Sequence, residues 1–335
     1  MDVLTPAQPR VERQSLSVVV PAYNEEAVLP EFHRRLAAVL DSLAADVAAE
    51  IVYVNDGSSD ATMRCLVELH ETDARVAIVD LSRNFGKEIA TSAGLEHARG
   101  DAVIIIDADL QDPPELISDM LRAWRAGSDV VRMRRMSRAN ESWLKRTTAR
   151  AFYRTIGRVS EIEIPANVGD FRLLSRRAVA ALLRFPERTR FMKGLYAWIG
   201  FPTVEIAYDR DSRFAGESKW NYWRLWNFAL EGITSFSVGP LKVASYVGFA
   251  TALFAFSYAA FVIGKTLLYG NPSPGFPTLI VVVLFLGGLQ LMALGIIGEY
   301  LARVFIDVKA RPLYLVQRIL PSAQPLPVPA ATVKP

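Results

Sequence analysis

Asp107 and Asp109 stand two residues apart, directly after the apolar run 102–106, and Gln111 follows at the same spacing. Two carboxylates at i and i+2, on a turn leaving a buried strand, can both face a hard cation. Mg²⁺ characteristically takes one or two carboxylates and fills its shell with water and substrate phosphate oxygens. The chemistry suggested is metal-assisted reaction of a phosphorylated substrate. A plainer use of such a turn is to begin a helix, with Asp112 as N-cap and Pro113 in the first turn. That use accounts for Asp112 and Pro113 and leaves Asp107 and Asp109 unexplained.

Three further turns carry residues of the same kind. Pro21-Ala22-Tyr23-Asn24-Glu25-Glu26, Asn55-Asp56-Gly57-Ser58-Ser59-Asp60 and Ser82-Arg83-Asn84-Phe85-Gly86-Lys87 each follow an apolar run. Chance can give one such turn; four argue for a site. No G-x-G-x-x-G follows the first run and no G-x-x-x-x-G-K-[ST] occurs, so neither a dinucleotide fingerprint nor a P-loop holds the phosphate. Lys87 opens a helix, where a cation opposes the helix dipole; a phosphate contact would explain its position. Cys65 is the single cysteine, and His33, His70 and His97 are scattered, which disfavours a zinc enzyme and excludes an internal disulfide. A net charge of +3 on 335 residues is too small for a general nucleic-acid binder.

These turns need a scaffold that brings them together. Segments 16–20, 51–54, 76–80, 102–106 and 129–131 read as strands. Segments 27–43, 61–71, 86–98 and 115–126 between them have helical spacing. Strand-helix alternation predicts a parallel α/β sheet covered on both faces. Ligands of such sheets bind at the carboxyl ends of the strands, where all four turns fall.

Hydrophobic residues make up 51% of the chain, and they concentrate near its C-terminus. Segments 243–264 and 277–298 hold no charged residue over 22 positions each. Each is long enough to cross a bilayer core of ~30 Å. The connector 265–276 contains Gly270, Pro272, Pro274 and Gly275 and reads as a short loop. Lys242 on one flank and Arg303, Lys309 and Arg311 on the other place both ends in the cytoplasm by the positive-inside rule. Segment 220–240, with Trp220, Trp223 and Trp226, reads as an amphipathic interfacial helix. The remaining organisation is a flexible tail 1–14, a catalytic domain 15–219, two spans with an external loop in 241–302, a juxtamembrane segment 303–320, and a Pro-rich disordered tail 321–335. Gly287, Gly288 and Gly295 permit close helix contact, as in a homo-oligomer, for instance a tetramer.

The turns PAYNEE, VNDGSSDAT, RNFGK and DADLQDPP, in that order, resemble glycosyltransferase family 2 enzymes of GT-A fold, a Rossmann-like mostly parallel sheet. GDFRLLSRRA, RFAGESKW and two apolar segments narrow the resemblance to polyprenyl-phosphate glycosyltransferases, over residues 15–318. Within that group the chain is most similar to bactoprenol glucosyltransferases. The resemblance implies roles for particular residues. Pro21, Tyr23 and Glu25 would surround the nucleotide, with Asp56 accepting from the base and Val54 packing nearby. Asp107 and Ala108 would contact the nucleotide; Asp109 and Gln111, with Asp107, would hold Mg²⁺ or Mn²⁺. Arg134 or Arg135 would lie on a mobile loop over the donor. Arg213 and Lys219 would bind phosphate at the membrane side. Asp170 sits at the position often assigned as catalytic; the bland alternative is pairing with Arg172 or Arg176.

The activity that the resemblance implies is inverting transfer of a hexose, glucose from UDP-glucose, to undecaprenyl phosphate. Its place would be the cytoplasmic face of a bacterial inner membrane. Aminoarabinose, N-acetylglucosamine or mannose donors are the nearest alternatives. A processive synthase is disfavoured because no Gln-x-x-Arg-Trp occurs. An inactive membrane scaffold is the alternative from another class.

Overall fold

The computed structural model describes residues 14–136, 168–188, 190–208, 239–269 and 275–326. Among them the strands are β1 (Gln14–Ala22), β2 (Val47–Asn55), β3 (Val76–Leu81), β4 (Ala102–Ile105), β5 (Val130–Arg135), β6 (Val168–Ser175), β7 (Thr203–Tyr208) and β8 (Val316–Leu320). They form one sheet in the order β7-β5-β6-β4-β1-β2-β3-β8. The helices are α1 (Leu29–Leu43), α2 (Thr62–Thr72), α3 (Lys87–His97), α4 (Ile117–Arg125), α5 (Arg176–Leu183), α6 (Met192–Trp198), α7 (Gly239–Tyr269) and α8 (Phe276–Val308).

The strand sequences explain the two covered faces. On β1, Leu16, Val18 and Val20 enter one core with Phe32, Leu36 and Leu40 of α1 and Met120 of α4. Val19 enters the opposite core with Ala90 and Ala93 of α3 and Leu182 of α5. α3 lies unusually close to the sheet, because a Cβ added at Gly94 would stand 2.3 Å from a methyl of Val19. A larger residue there would push the helix that opens with Lys87.

The sheet is mixed, which corrects the expectation of a mostly parallel one. β1 runs parallel to β2 and β4, β2 to β3, and β5 to β7. β6 lies antiparallel between β4 and β5, and β8 antiparallel on β3. The β6 orientation matters for function. Ile105 at the end of β4 pairs with Arg172, so Asp170, two residues earlier on β6, reaches the carboxyl edge of the parallel strands.

The C-terminal part departs from expectation in several places. Most of the expected interfacial helix 220–240 lies outside the described residues. α7 and α8 have 31 and 33 residues, about 46 and 50 Å at ~1.5 Å per residue. Tyr246, Phe249 and Phe254 on α7 and Phe285, Leu291 and Leu294 on α8 are all more than 60% exposed. Among the described residues alone, no helix is long and apolar enough to cross a membrane, so the two expected spans are not shown by the fold. α8 also runs past the apolar segment through Glu299, Arg303 and Asp307. Segment 303–320 is not merely juxtamembrane: it ends in β8, which extends the sheet. The tail expected to be disordered is docked in its first residues. Ser322 Oγ accepts from Arg99 at 2.6 Å, and Gln324 N–H donates to Ala74 O at 3.0 Å.

Candidate active site

The turns after β1 and β2 are stitched together. Asn24 takes a positive φ of 55°, and its side-chain oxygen accepts from Ser59 N–H at 2.9 Å. Ser58 Oγ accepts from Asn24 N–H at 3.1 Å, and Thr62 Oγ1 from Glu25 N–H at 2.8 Å. The Glu25 carbonyl begins the helical hydrogen bonding toward α1, accepting from Val28 and Leu29. Pro21 is half-buried at the end of β1, while Tyr23 is exposed.

Asp56 is buried, and both its oxygens receive backbone amides of the third turn. Phe85 N–H donates at 2.7 Å and Gly86 N–H at 2.9 Å. Burial pushes its carboxyl up, and these two amides oppose that. Its structural role is to pin the loop that leads into Lys87. Gly57 is required beside it: its φ is +64°, and an added Cβ would come within 2.3 Å of the Arg83 backbone.

The centre of the cluster is Lys87. Its Nζ donates to Asp107 Oδ2 at 2.7 Å and to Asp170 Oδ2 at 2.6 Å. Three chain segments therefore converge: the start of α3, the end of β4 and the start of β6. Burial works against the Lys87 charge, but the two carboxylates outweigh it and hold the ammonium protonated well above its usual range. Burial likewise opposes the Asp170 anion. Lys87, Lys193 and Arg172 reverse that and hold its carboxyl far below the usual range. Asp107 is pushed the other way, by burial and by the charges of Asp170 and Asp109. Glu88 is pushed up to about 8 by burial and then by Asp170.

Burial alternates along the fourth turn. Asp107, Asp109 and Gln111 are half-exposed, and Ala108 and Leu110 are buried. The three polar residues therefore share the solvent side. Leu110 has φ +59°, and Asp109 Oδ1 accepts from Gln111 N–H at 3.1 Å. Among the described residues no group of three or more His, Cys, Asp or Glu is arranged to hold a metal ion. The oxygen donors of Asp107, Asp109 and Gln111 nonetheless fit a hard cation that draws its remaining ligands from a substrate diphosphate.

Several expected residues take other places. Val54 is fully buried against Gly94 and Val19 in the core, so its side chain faces no ligand. The Ala108 methyl is buried in the opposite core, leaving only its backbone toward the site. Arg134 and Arg135 lie on strand β5 rather than on a loop, because β5 continues in register with β7 through Tyr208. Arg134 is 3.4 Å from Glu205 of β7. The helical turn Pro114–Leu116 has Pro113, not Asp112, at its N-cap position, and the Asp112 carboxylate accepts from the Tyr208 hydroxyl. Asp170 pairs with Lys87 through its carboxylate, whereas Arg172 binds the carbonyls of Gly169 and Asp170, and Arg176 that of Gly100. Arg213 and Lys219 lie outside the described residues.

Glu88, Lys193 and Tyr196 are signalled by no motif, and Arg172, inside GDFRLLSRRA, reads only as a partner for Asp170. Arg172 is buried with its guanidinium 3.6 Å from the centre of the Tyr196 ring. Burial pushes the Tyr196 hydroxyl up, so it stays protonated.

An α/β sheet whose carboxyl edge gathers acids, an amide and a lysine is a scaffold for reactions of phosphorylated donors. The sequence profile of Glycosyl transferase family 2 matches residues 17–183. An uncharacterized glycosyltransferase of Synechocystis is 54% identical over 301 residues, covering 90% of this chain and 94% of that protein. The SfII prophage-derived bactoprenol glucosyl transferase of Shigella flexneri is 47% identical over 303 residues, covering 90% and 97%. The prophage bactoprenol glucosyl transferase homolog of Escherichia coli K12 is 45% identical, covering 91% and 99%. The chain belongs to glycosyl transferase family 2. Among solved structures, a mannosyltransferase from Pyrobaculum calidifontis in complex with GDP-Man and Mn²⁺ matches with a TM-score of 0.45 and 17% identity, covering 85% and 88%.

Proposed function

We propose that this glycosyltransferase moves glucose from UDP-glucose to undecaprenyl phosphate, with inversion, at the cytoplasmic face of a bacterial inner membrane. The observation that carries the proposal is the Lys87–Asp107–Asp170 cluster at the strand ends of a chain whose relatives are named for bactoprenol. Arg213 and Lys219 would meet phosphate at the membrane side. Asp109 and Gln111, with Asp107, would hold Mg²⁺ or Mn²⁺. When bound, the ion supplies charge stabilisation to the departing diphosphate.

The chain's own residues then have defined tasks. The acceptor is a phosphate monoester with a second pKa of ~6, so it is mostly dianionic at neutral pH and needs no base. Asp170, held as an anion by Lys87, is a poor proton acceptor. It fits an orienting group, and Lys87 removes the repulsion that its carboxylate would impose on an approaching phosphate. Asp170→Asn is therefore expected to keep the acid limb of the rate near pH ~6, which belongs to the phosphate. A limb present in the wild type and abolished in the variant would restore the base role.

The reaction is tested with the full chain in detergent, Mg²⁺, undecaprenyl phosphate and a panel of labelled nucleotide sugars. Label from UDP-glucose entering the organic phase is expected. Label from another donor would change only the sugar, and none from any donor, with folded protein, would leave the scaffold alternative.

A further inference from the structure

Three cations shape the field around Asp170, and two of them are already engaged. Lys87 Nζ is held between Asp107 and Asp170. Arg172 is buried, bonded to the carbonyls of Gly169 and Asp170 and stacked on Tyr196. The third is Lys193 of α6. Its side chain is half-exposed, and among the described residues it forms no ion pair or hydrogen bond.

Two contacts fix where Lys193 stands. Its neighbour Met192 packs on α3, with Ser92 Oγ 3.7 Å from its sulfur; the same hydroxyl donates to the Glu88 carbonyl at 2.9 Å. One turn further along α6, Tyr196 lies over the Arg172 guanidinium, whose Nε donates to the Asp170 carbonyl at 3.3 Å. Residues three apart share a helix face, so Lys193 stands on the side of α6 that covers the Asp170 end of β6. Its charge is felt there: burial opposes the Asp170 anion, and Lys193 is second only to Lys87 in holding it.

We infer that Lys193 binds the phosphate of the acceptor lipid. Unpaired among the described residues, it is a cation beside the orienting carboxylate, on a helix that packs against the one carrying Lys87. An ammonium is a compact charge with three rotatable donors and suits phosphate oxygens in no fixed geometry. The inference rests on the proposed acceptor. Phosphate oxygens also occur on the nucleotide donor, and the two sources are separable by binding.

The test uses the full chain in detergent without donor, and measures equilibrium binding of labelled undecaprenyl phosphate and, separately, of UDP with Mn²⁺. Lys193→Gln is expected to weaken lipid-phosphate binding by about 10- to 100-fold, the range for a charge-assisted hydrogen bond. Lys193→Arg should restore it to within about threefold, on the strength of the shared charge. UDP affinity should stay unchanged in both variants. The inference is overturned if Lys193→Gln binds the lipid as the wild type does, if the wild type binds none, or if UDP affinity is what falls. Wild type that binds the lipid through Lys193 but transfers no sugar would leave this site standing and reject the proposed reaction.

Discussion

Asp109→Ala is expected to lower transfer by about 10³-fold, which is ~4 kcal/mol of transition-state stabilisation. Asp109 belongs to the half-exposed set of the fourth turn, while the Lys87 ammonium is held between Asp107 and Asp170. Asp109 is therefore the carboxylate best able to hold a cation against a diphosphate. The variant should fold. Its side chain ties the turn by accepting from Gln111 N–H at 3.1 Å, and a bond of that kind contributes ~1 kcal/mol. Mn²⁺-dependent UDP binding, followed by calorimetry, should be lost in parallel with activity. Gln111→Ala should lose less, because a neutral amide oxygen is a weaker ligand than a carboxylate. Wild-type activity that survives exhaustive EDTA treatment, or an Asp109→Ala enzyme with a tenth of its activity left, would defeat the metal assignment.

The parts of this site that were legible in the sequence are those written locally. LSVVV and AVIII read as buried strands because nearly every residue is apolar, and the polar turns come directly after them. The alternation of Asp107, Asp109 and Gln111 with small or apolar residues also marks the exposed side of the turn. Long-range partners are not written locally. Lys87 meets acids 20 and 83 positions away, and nothing in RNFGK names either. Asp112 reads as a cap because Pro113 comes next, yet Tyr208, 96 positions on, takes its carboxylate. β6 was legible as the motif GDFRLLS but not as a strand. Its antiparallel direction, which brings Asp170 to the edge, depends on pairing with β4 and β5. β8 lies beyond both long apolar helices, and VQRIL carries no sign that its partner is β3. Val54 shows the converse: the family resemblance implies a place beside the base, but strand alternation turns its side chain into the core.

Lys87→Met is expected to harm the protein even with no substrate present. Removing the ammonium leaves Asp107 and Asp170 facing one another, with Asp109 and Glu88 close by. Breaking a fully buried ion pair costs ~3–5 kcal/mol. Lys87 keeps 44% of its side chain exposed and the acids about a fifth of theirs, so solvent screening lowers the expected loss to roughly 1–3 kcal/mol. Thermal unfolding of the donor-free protein should then fall by roughly 2–10 °C at neutral pH. The carboxylates set the sign of the pH dependence. In the wild type the depressed Asp170 contributes stability above its unfolded pKa and loses it as pH falls through the folded value. In the variant that depression is gone and repulsion between the acids raises their affinity for protons, so mild acid relieves the strain. The gap in melting temperature should therefore be widest near pH ~8 and narrow toward pH ~5. Lys87→Arg should keep most of the stability, since its charge remains. A lysine that served only the donor's phosphates would give a different result: the donor-free variant would melt with the wild type at every pH, and only UDP affinity would fall. That outcome would return Lys87 to the donor site and leave the low pKa of Asp170 without its main support.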